Sequence, residues 1–226
     1  MVHQLVESLE RDFFARKNEE EKDSLVDQAI FILAAFLAAL RGEEVLKLVL
    51  GETRTYFAEA RRNTKLSRVV LKTGERYHFV VVTARSNSGL RIGDWMKSGI
   101  ESRERRVLFQ GYFFTNKKGG TICARDLEVD ILDRITRIQQ EHPDLIRPGS
   151  DVHKEYGLSR SFRRGSNSEA QNRGVKNGDI DRNNYWRKVD RAGARKVKLR
   201  MRDHYTDVLV SLESFLRYTH RPSKEL

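Results

Sequence analysis

Residues 24–49 read SLVDQAIFILAAFLAALRGEEVLKLV. Apolar residues recur at helical spacing from Ser24 and fill every place from Ala29 to Leu40, the pattern of a helix buried on all sides. The polar interruption Arg41-Gly42-Glu43-Glu44 breaks that pattern before Val45, Leu46 and Leu48 resume it. A buried helix, a tight turn and a second helical stretch are therefore expected. The unbroken apolar run is only about two thirds of the ~18 residues that a bilayer-spanning helix needs, so no membrane association is expected.

On the N-terminal side, Val2, Leu5, Leu9 and Phe13 share helical spacing, and the charged run Arg16 to Asp23 reads as a solvated linker. Residues 1–23 are thus expected to form an arm and linker ahead of one main domain over 24–226. Glu7, Glu10 and Asp12 interrupt the region where a secretion signal would need continuous apolar character, so an intracellular protein is expected, nuclear in a eukaryote and in the cytoplasm or nucleoid otherwise. The single cysteine, Cys123, has no partner for an internal disulfide and no neighbours suited to a metal site. It is expected to be a small core residue in a reducing compartment.

On the C-terminal side, Val69-Val-Leu and the run from Tyr77 to Thr83 flank a Gly-containing polar segment that starts at Lys72, the pattern of a β-hairpin. Ile92, Trp95, Met96 and Ile100 make Gly89 to Arg106 an amphipathic helix, followed by the apolar run Val107 to Phe114 and a turn at residues 117–120. Within that run, VLFQG at 107–111 resembles a viral-protease tag site and is read as a coincidence. Leu127, Ile131, Ile135 and Ile138 form a helical stripe ending near Pro143. Two helices are expected over 159–173 and 177–188, then a cationic loop from Arg191 to Arg200. A last helix, about 203–218, carries Val208, Leu212 and Phe215 on one side, either for its own core or for a neighbouring subunit. The fold class is α+β, mainly α, with a small antiparallel hairpin.

Lys and Arg number 43 against 32 acids, for a formal charge of +11, so the chain is drawn to a polyanion. No helix-turn-helix, zinc or RNA-recognition signature accompanies that charge, which leaves a generic basic nucleic-acid-binding module without support.

Several short motifs occur in order. Leu40-Arg41-Gly42-Glu43-Glu44-Val45 has an arginine with an acid three residues later, and Arg160-Ser-Phe-Arg163-Arg164 follows far downstream. Gly174-Val175 with Asp179-Ile180 comes next, then Trp186 and finally Met201-Arg-Asp-His204-Tyr205. Singly, each is the kind of charged or aromatic cluster that any surface carries. Together they resemble the catalytic motifs of the tyrosine recombinases, the phage-integrase family, over most of the chain from about Ser24 to Tyr218. The motif around Arg160 resembles the family's His-x-x-Arg, with arginine where histidine usually stands.

The resemblance implies a mainly helical catalytic domain with a small sheet that cleaves and rejoins DNA at specific sites, as in integration and recombination of mobile elements. Tyr205 would be the nucleophile, and Arg41 and Arg163 would grip the scissile phosphate, because guanidinium stays charged and binds two oxygens in a fork. Lys72, in the hairpin, would protonate the leaving 5′ oxygen, with Lys65 as a competitor. Trp186 would donate its indole N–H to the phosphate, Arg160 would contact it, and Glu44 would support Arg41. Since arginine is no base near neutral pH, His204 is the candidate to handle the tyrosine proton. Arg164, Arg195, Lys196, Lys198 and Arg200 would contact backbone phosphates. A 3′-phosphotyrosine link stores the bond energy, so neither metal nor other cofactor is implied. The partner would be double-stranded DNA, with a tetramer forming on paired sites. Such recombinases normally carry a DNA-clamping domain before the catalytic one, and here about two dozen residues precede the first core helix. Two alternatives stand beside this reading. One is a catalytically silent DNA-binding protein derived from a recombinase, which Arg160 favours. The other is relaxation of the type IB topoisomerase kind, which the Leu-Arg-Gly-Glu-Glu and Gly-Val signatures disfavour.

Overall fold

The computed structural model describes residues 1–62, 68–72, 79–116, 119–157, 161–176 and 179–180. In chain order the elements are α1 (Val2–Ala15), α2 (Glu19–Leu37), α3 (Gly42–Leu46), α4 (Leu50–Arg62), β1 (Arg68–Lys72), β2 (Phe79–Thr83), α5 (Ile92–Arg105), α6 (Ala124–Glu141), α7 (Val152–Glu155) and α8 (Ser161–Asn172). The described architecture is mainly helical with one two-stranded antiparallel sheet.

Helix α2 is the axis of the core. All but Phe36 of the residues from Leu25 to Leu37 are buried, because α1, α3, α5, α6 and α8 all pack against it. Its start differs from the linker expected over Arg16 to Asp23. Asn18 caps the helix by accepting from the Glu20 N–H at 2.9 Å, and Glu19, Glu20 and Glu21 occupy the first turn, where carboxylates complement the helix dipole. Only residues 16–18 connect, and the acidic run is the solvated opening of α2. The boundary expected at residue 24 therefore falls inside a helix, and α1 buries Leu5, Val6 and Leu9 in the common core.

The hairpin forms where expected, with Arg68 opposite Thr83 and Lys72 opposite Phe79. Val69, Leu71, Val80 and Val82 point into the core, and α4 backs β1. Helix α5 buries Ile92, Trp95, Met96 and Ile100, and α6 buries Leu127, Ile131, Ile135 and Ile138, so both expected stripes are core faces. At Gly99 the α5 backbone comes so close to α2 that an added Cβ would lie 2.6 Å from Ile30 Cδ1 and 2.7 Å from Phe113 Cζ. Cys123 corrects an expectation. It is exposed and serves as the N-cap position of α6, where the chain leaves the turn for solvent before the first buried residue, Leu127. Helix α8 ends in a turn with Gly174 at φ +76, and the Val175 N–H reaches back to the Ala170 carbonyl at 3.0 Å. Of the helix expected over 177–188, Asp179 and Ile180 are described and helical. The expected loop from Arg191 to Arg200 and the last helix lie outside the described residues. Among the described residues no helix is long and apolar enough to cross a membrane.

Candidate functional site

The turn after α2 places Arg41 at the N-cap of α3, with extended backbone at φ −74 and ψ 152. Glu44, at the third helical position, accepts from the Arg41 backbone N–H at 2.7 Å, which is one arm of a capping box. A guanidinium has no acceptor, so the reciprocal arm is missing and the Glu44 N–H turns to the Arg41 carbonyl at 2.9 Å. The cap thus uses only Arg41's backbone. Its side chain is exposed and makes no ion pair among the described residues.

Helix α8 brings the second arginine. Phe162, Ser166 and Ala170 form its buried stripe, and its packing on α2 turns the adjacent Arg163 inward, leaving its side chain only 8% exposed. There Arg163 Nη1 donates to Glu44 Oε2 at 3.2 Å, across 119 positions of sequence. The same oxygen thus holds the Arg41 backbone and the Arg163 side chain. Burial pulls the Arg163 guanidinium below its usual range, the Glu44 charge opposes that, and the Arg41 charge adds to it. Arginine starts so high that it stays protonated at any working pH. Arg164 is exposed beside the Arg163–Glu44 pair.

Of the expected site residues, Arg41, Glu44 and Arg163 are therefore brought together, with Arg164 adjacent. Lys72 closes β1 opposite Phe79, and its side chain lies outside the described part. Lys65, Arg160, Trp186, Arg195, Lys196, Lys198, Arg200, His204 and Tyr205 also lie outside the described residues. Among those described, no group of three or more His, Cys, Asp or Glu side chains is placed to hold a metal ion.

Sequence reading missed two buried arginines that build the scaffold. Arg103, 0% exposed, pairs with Asp27 of α2, donates Nε–H to the Phe113 carbonyl at 3.0 Å, and lies 4.3 Å from the centre of the Phe113 ring. Burial pushes the Asp27 carboxyl up to about 6, against the pull of Arg103. Arg134 joins α6 to α1 through Ser8 at 2.8 Å and Asp12 at 2.7 Å. Asp27 was the available signal: a carboxylate inside an otherwise apolar helix requires a buried cation.

No family model, curated protein or solved structure matches the chain.

Proposed function

We propose that the chain cuts and rejoins DNA by the chemistry of the tyrosine recombinases, on the scaffold of their catalytic domain. The observation that carries this reading is that one Glu44 carboxylate oxygen holds both the Arg41 backbone, three residues away, and the Arg163 guanidinium, 119 positions away. Glu44 holds the buried Arg163 guanidinium and the Arg41 backbone, and the exposed Arg41 guanidinium beside them suits a phosphodiester, whose transition state carries more negative charge on its oxygens than its ground state. In the proposed reaction the Tyr205 oxygen attacks the phosphorus, the bond to the 5′ oxygen breaks, and Lys72 gives that oxygen a proton. The phosphotyrosine is then attacked by a 5′ hydroxyl of the same or another strand, which restores the phosphodiester and frees the tyrosine. Arg160, Trp186 and His204 complete the proposed set, and Arg164 with the basic residues from Arg195 to Arg200 holds the flanking backbone. Double-stranded DNA is the proposed substrate, with a tetramer on paired sites.

The test is incubation with nicked suicide duplexes and, in parallel, with supercoiled plasmid, followed by denaturing electrophoresis. A covalent protein–DNA species is expected for the wild type and none for Tyr205→Phe. Arg163→Ala is expected to slow its formation by about 100–1,000-fold, the cost of removing one preorganised donor from a developing anion. Duplex binding without any Tyr205-dependent cleavage would instead favour the silent DNA-binding reading, with Arg160 in the histidine position as its cause.

A further inference from the structure

Four aromatic residues fall within six positions after α5: Phe109, Tyr112, Phe113 and Phe114. Phe113 and Phe114 are fully buried, whereas Phe109 and Tyr112 are 44% and 43% exposed on a loop that also leaves Val107 in solvent. Exposing large apolar rings beside an available core costs free energy.

The loop is held in place. Its Leu108 N–H reaches the Arg103 carbonyl at 2.8 Å, its Gly111 carbonyl accepts from Leu50 N–H at 2.9 Å, and Tyr112 bridges Val49. Val107 sits at φ +58, a left-handed conformation that a β-branched residue rarely adopts. The fixed roots thus hold a strained, apolar segment outward.

An arginine already stacks on this loop. The Arg54 guanidinium lies 4.9 Å from the centre of the Phe109 ring and is oriented by Glu104 at 3.3 Å, which it neutralises. Lys47 is exposed beside one root, while at the other Arg105 pairs with Glu19 and Asp23 of α2 and Arg106 donates to the Thr115 and Asn116 carbonyls. A half-exposed ring already stacked with an arginine, in a chain of charge +11, has the chemistry of a base-stacking platform. The five-residue α3 and Lys47 separate Arg41 from the anchoring Leu48, a rise of about 10 Å at helical pitch. That distance is about three nucleotide steps along one strand.

We propose that residues 107–112 form a platform on which unpaired DNA bases stack, beside the strand held at Arg41 and Arg163. The proposal deepens the DNA-cleaving reading and rests on it. A strand cut and released for exchange exposes unpaired bases next to the phosphate site, and Phe109 with Arg54 and Tyr112 would hold them there.

The experiment uses the full chain and two labelled probes, single-stranded oligothymidylate and a blunt duplex of equal length, read by fluorescence anisotropy. Stacking on an aromatic contributes about 1–3 kcal/mol per base, so Phe109→Ala is expected to weaken single-strand binding by roughly 5- to 150-fold and duplex binding by less than about 2-fold. Tyr112→Ala is expected to act in the same direction. Phe109→Trp, which keeps a stacking face, is expected to restore binding, so a folding defect in the alanine variant cannot mimic the result. If the wild type binds both probes and Phe109→Ala changes neither, the platform is overturned while the DNA reading stands. If the wild type binds neither probe, both fail. If light scattering shows that the wild type self-associates, and Phe109→Ala disperses it without altering single-strand affinity, the loop is a protein contact and the proposal is wrong.

Discussion

Removing Arg103 tests how the core is held together. Arg103→Met keeps most of the side-chain volume but takes the paired cation from beside Asp27's buried carboxyl and leaves the Phe113 carbonyl without its 3.0 Å donor. Breaking a buried pair by one partner costs about 3–5 kcal/mol, of which an orphaned carbonyl accounts for about 1–3. The rest is electrostatic and must depend on pH. In the wild type, Asp27's folded pKa of about 6 lies above an unfolded value near 3.9, so the folded state binds more protons between the two. Stability from this group is full below about pH 3.9 and is lost as pH rises through about 6. Without Arg103 the carboxyl rises further, toward the 8–9 known for buried acids, and the loss continues at about 1.4 kcal/mol per pH unit beyond the point where the wild type has levelled. From about pH 5 to about pH 7.5 the variant's deficit should grow by about 2 kcal/mol, measured by urea unfolding of both proteins at each pH. Asp27→Leu combined with Arg103→Met should lose that pH dependence and recover most of the stability. A deficit equal at both pH values would refute the assignment of Asp27 as the stranded charge.

Two other outcomes follow from the packing. Glu44→Ala removes a capping acceptor and the carboxylate paired with the buried Arg163, so a loss of about 2–4 kcal/mol is expected in thermal melts. Inorganic phosphate should raise the melting temperature of this variant more than that of the wild type, because the anion replaces the missing carboxylate in the folded state only. Gly99→Ala forces a methyl to within 2.6 Å of Ile30 Cδ1 and 2.7 Å of Phe113 Cζ, and should lower stability by about 1–3 kcal/mol by chemical denaturation.

Much of the helical framework was legible because its signals are periodic. The α2 run, the α5 and α6 stripes and the hairpin alternation each follow from local spacing, and each appears as a buried face. What misled was the chemistry of ends. The run Glu19-Glu20-Glu21 has the same composition in a solvated linker and in the first turn of a helix, and only Asn18, as a cap, separates the two. Cys123 was misplaced for a related reason: a residue one turn ahead of an apolar stripe shares its composition with the stripe but not its face.

The site itself was legible in part, and the difference lies in which link each residue depends on. Arg41 and Glu44 are three residues apart, so their relation is local and follows from the helix start. Arg163 meets them only because α3 follows directly from α2 and α8 packs across α2, a tertiary consequence that no spacing rule encodes. The apolar length of α2 is therefore a condition for the site as well as for the core. It spaces Arg41 from the N-terminal turn that Asn18 caps, and it gives α8 the surface that presses Arg163 down onto Glu44. Arg103, holding α5 to α2 through Asp27, secures that surface from the other side. A change at the buried pair should consequently be felt at the arginine site through the position of α2, and the phosphate-dependent melting shift of the Arg103→Met variant should be smaller than that of the wild type.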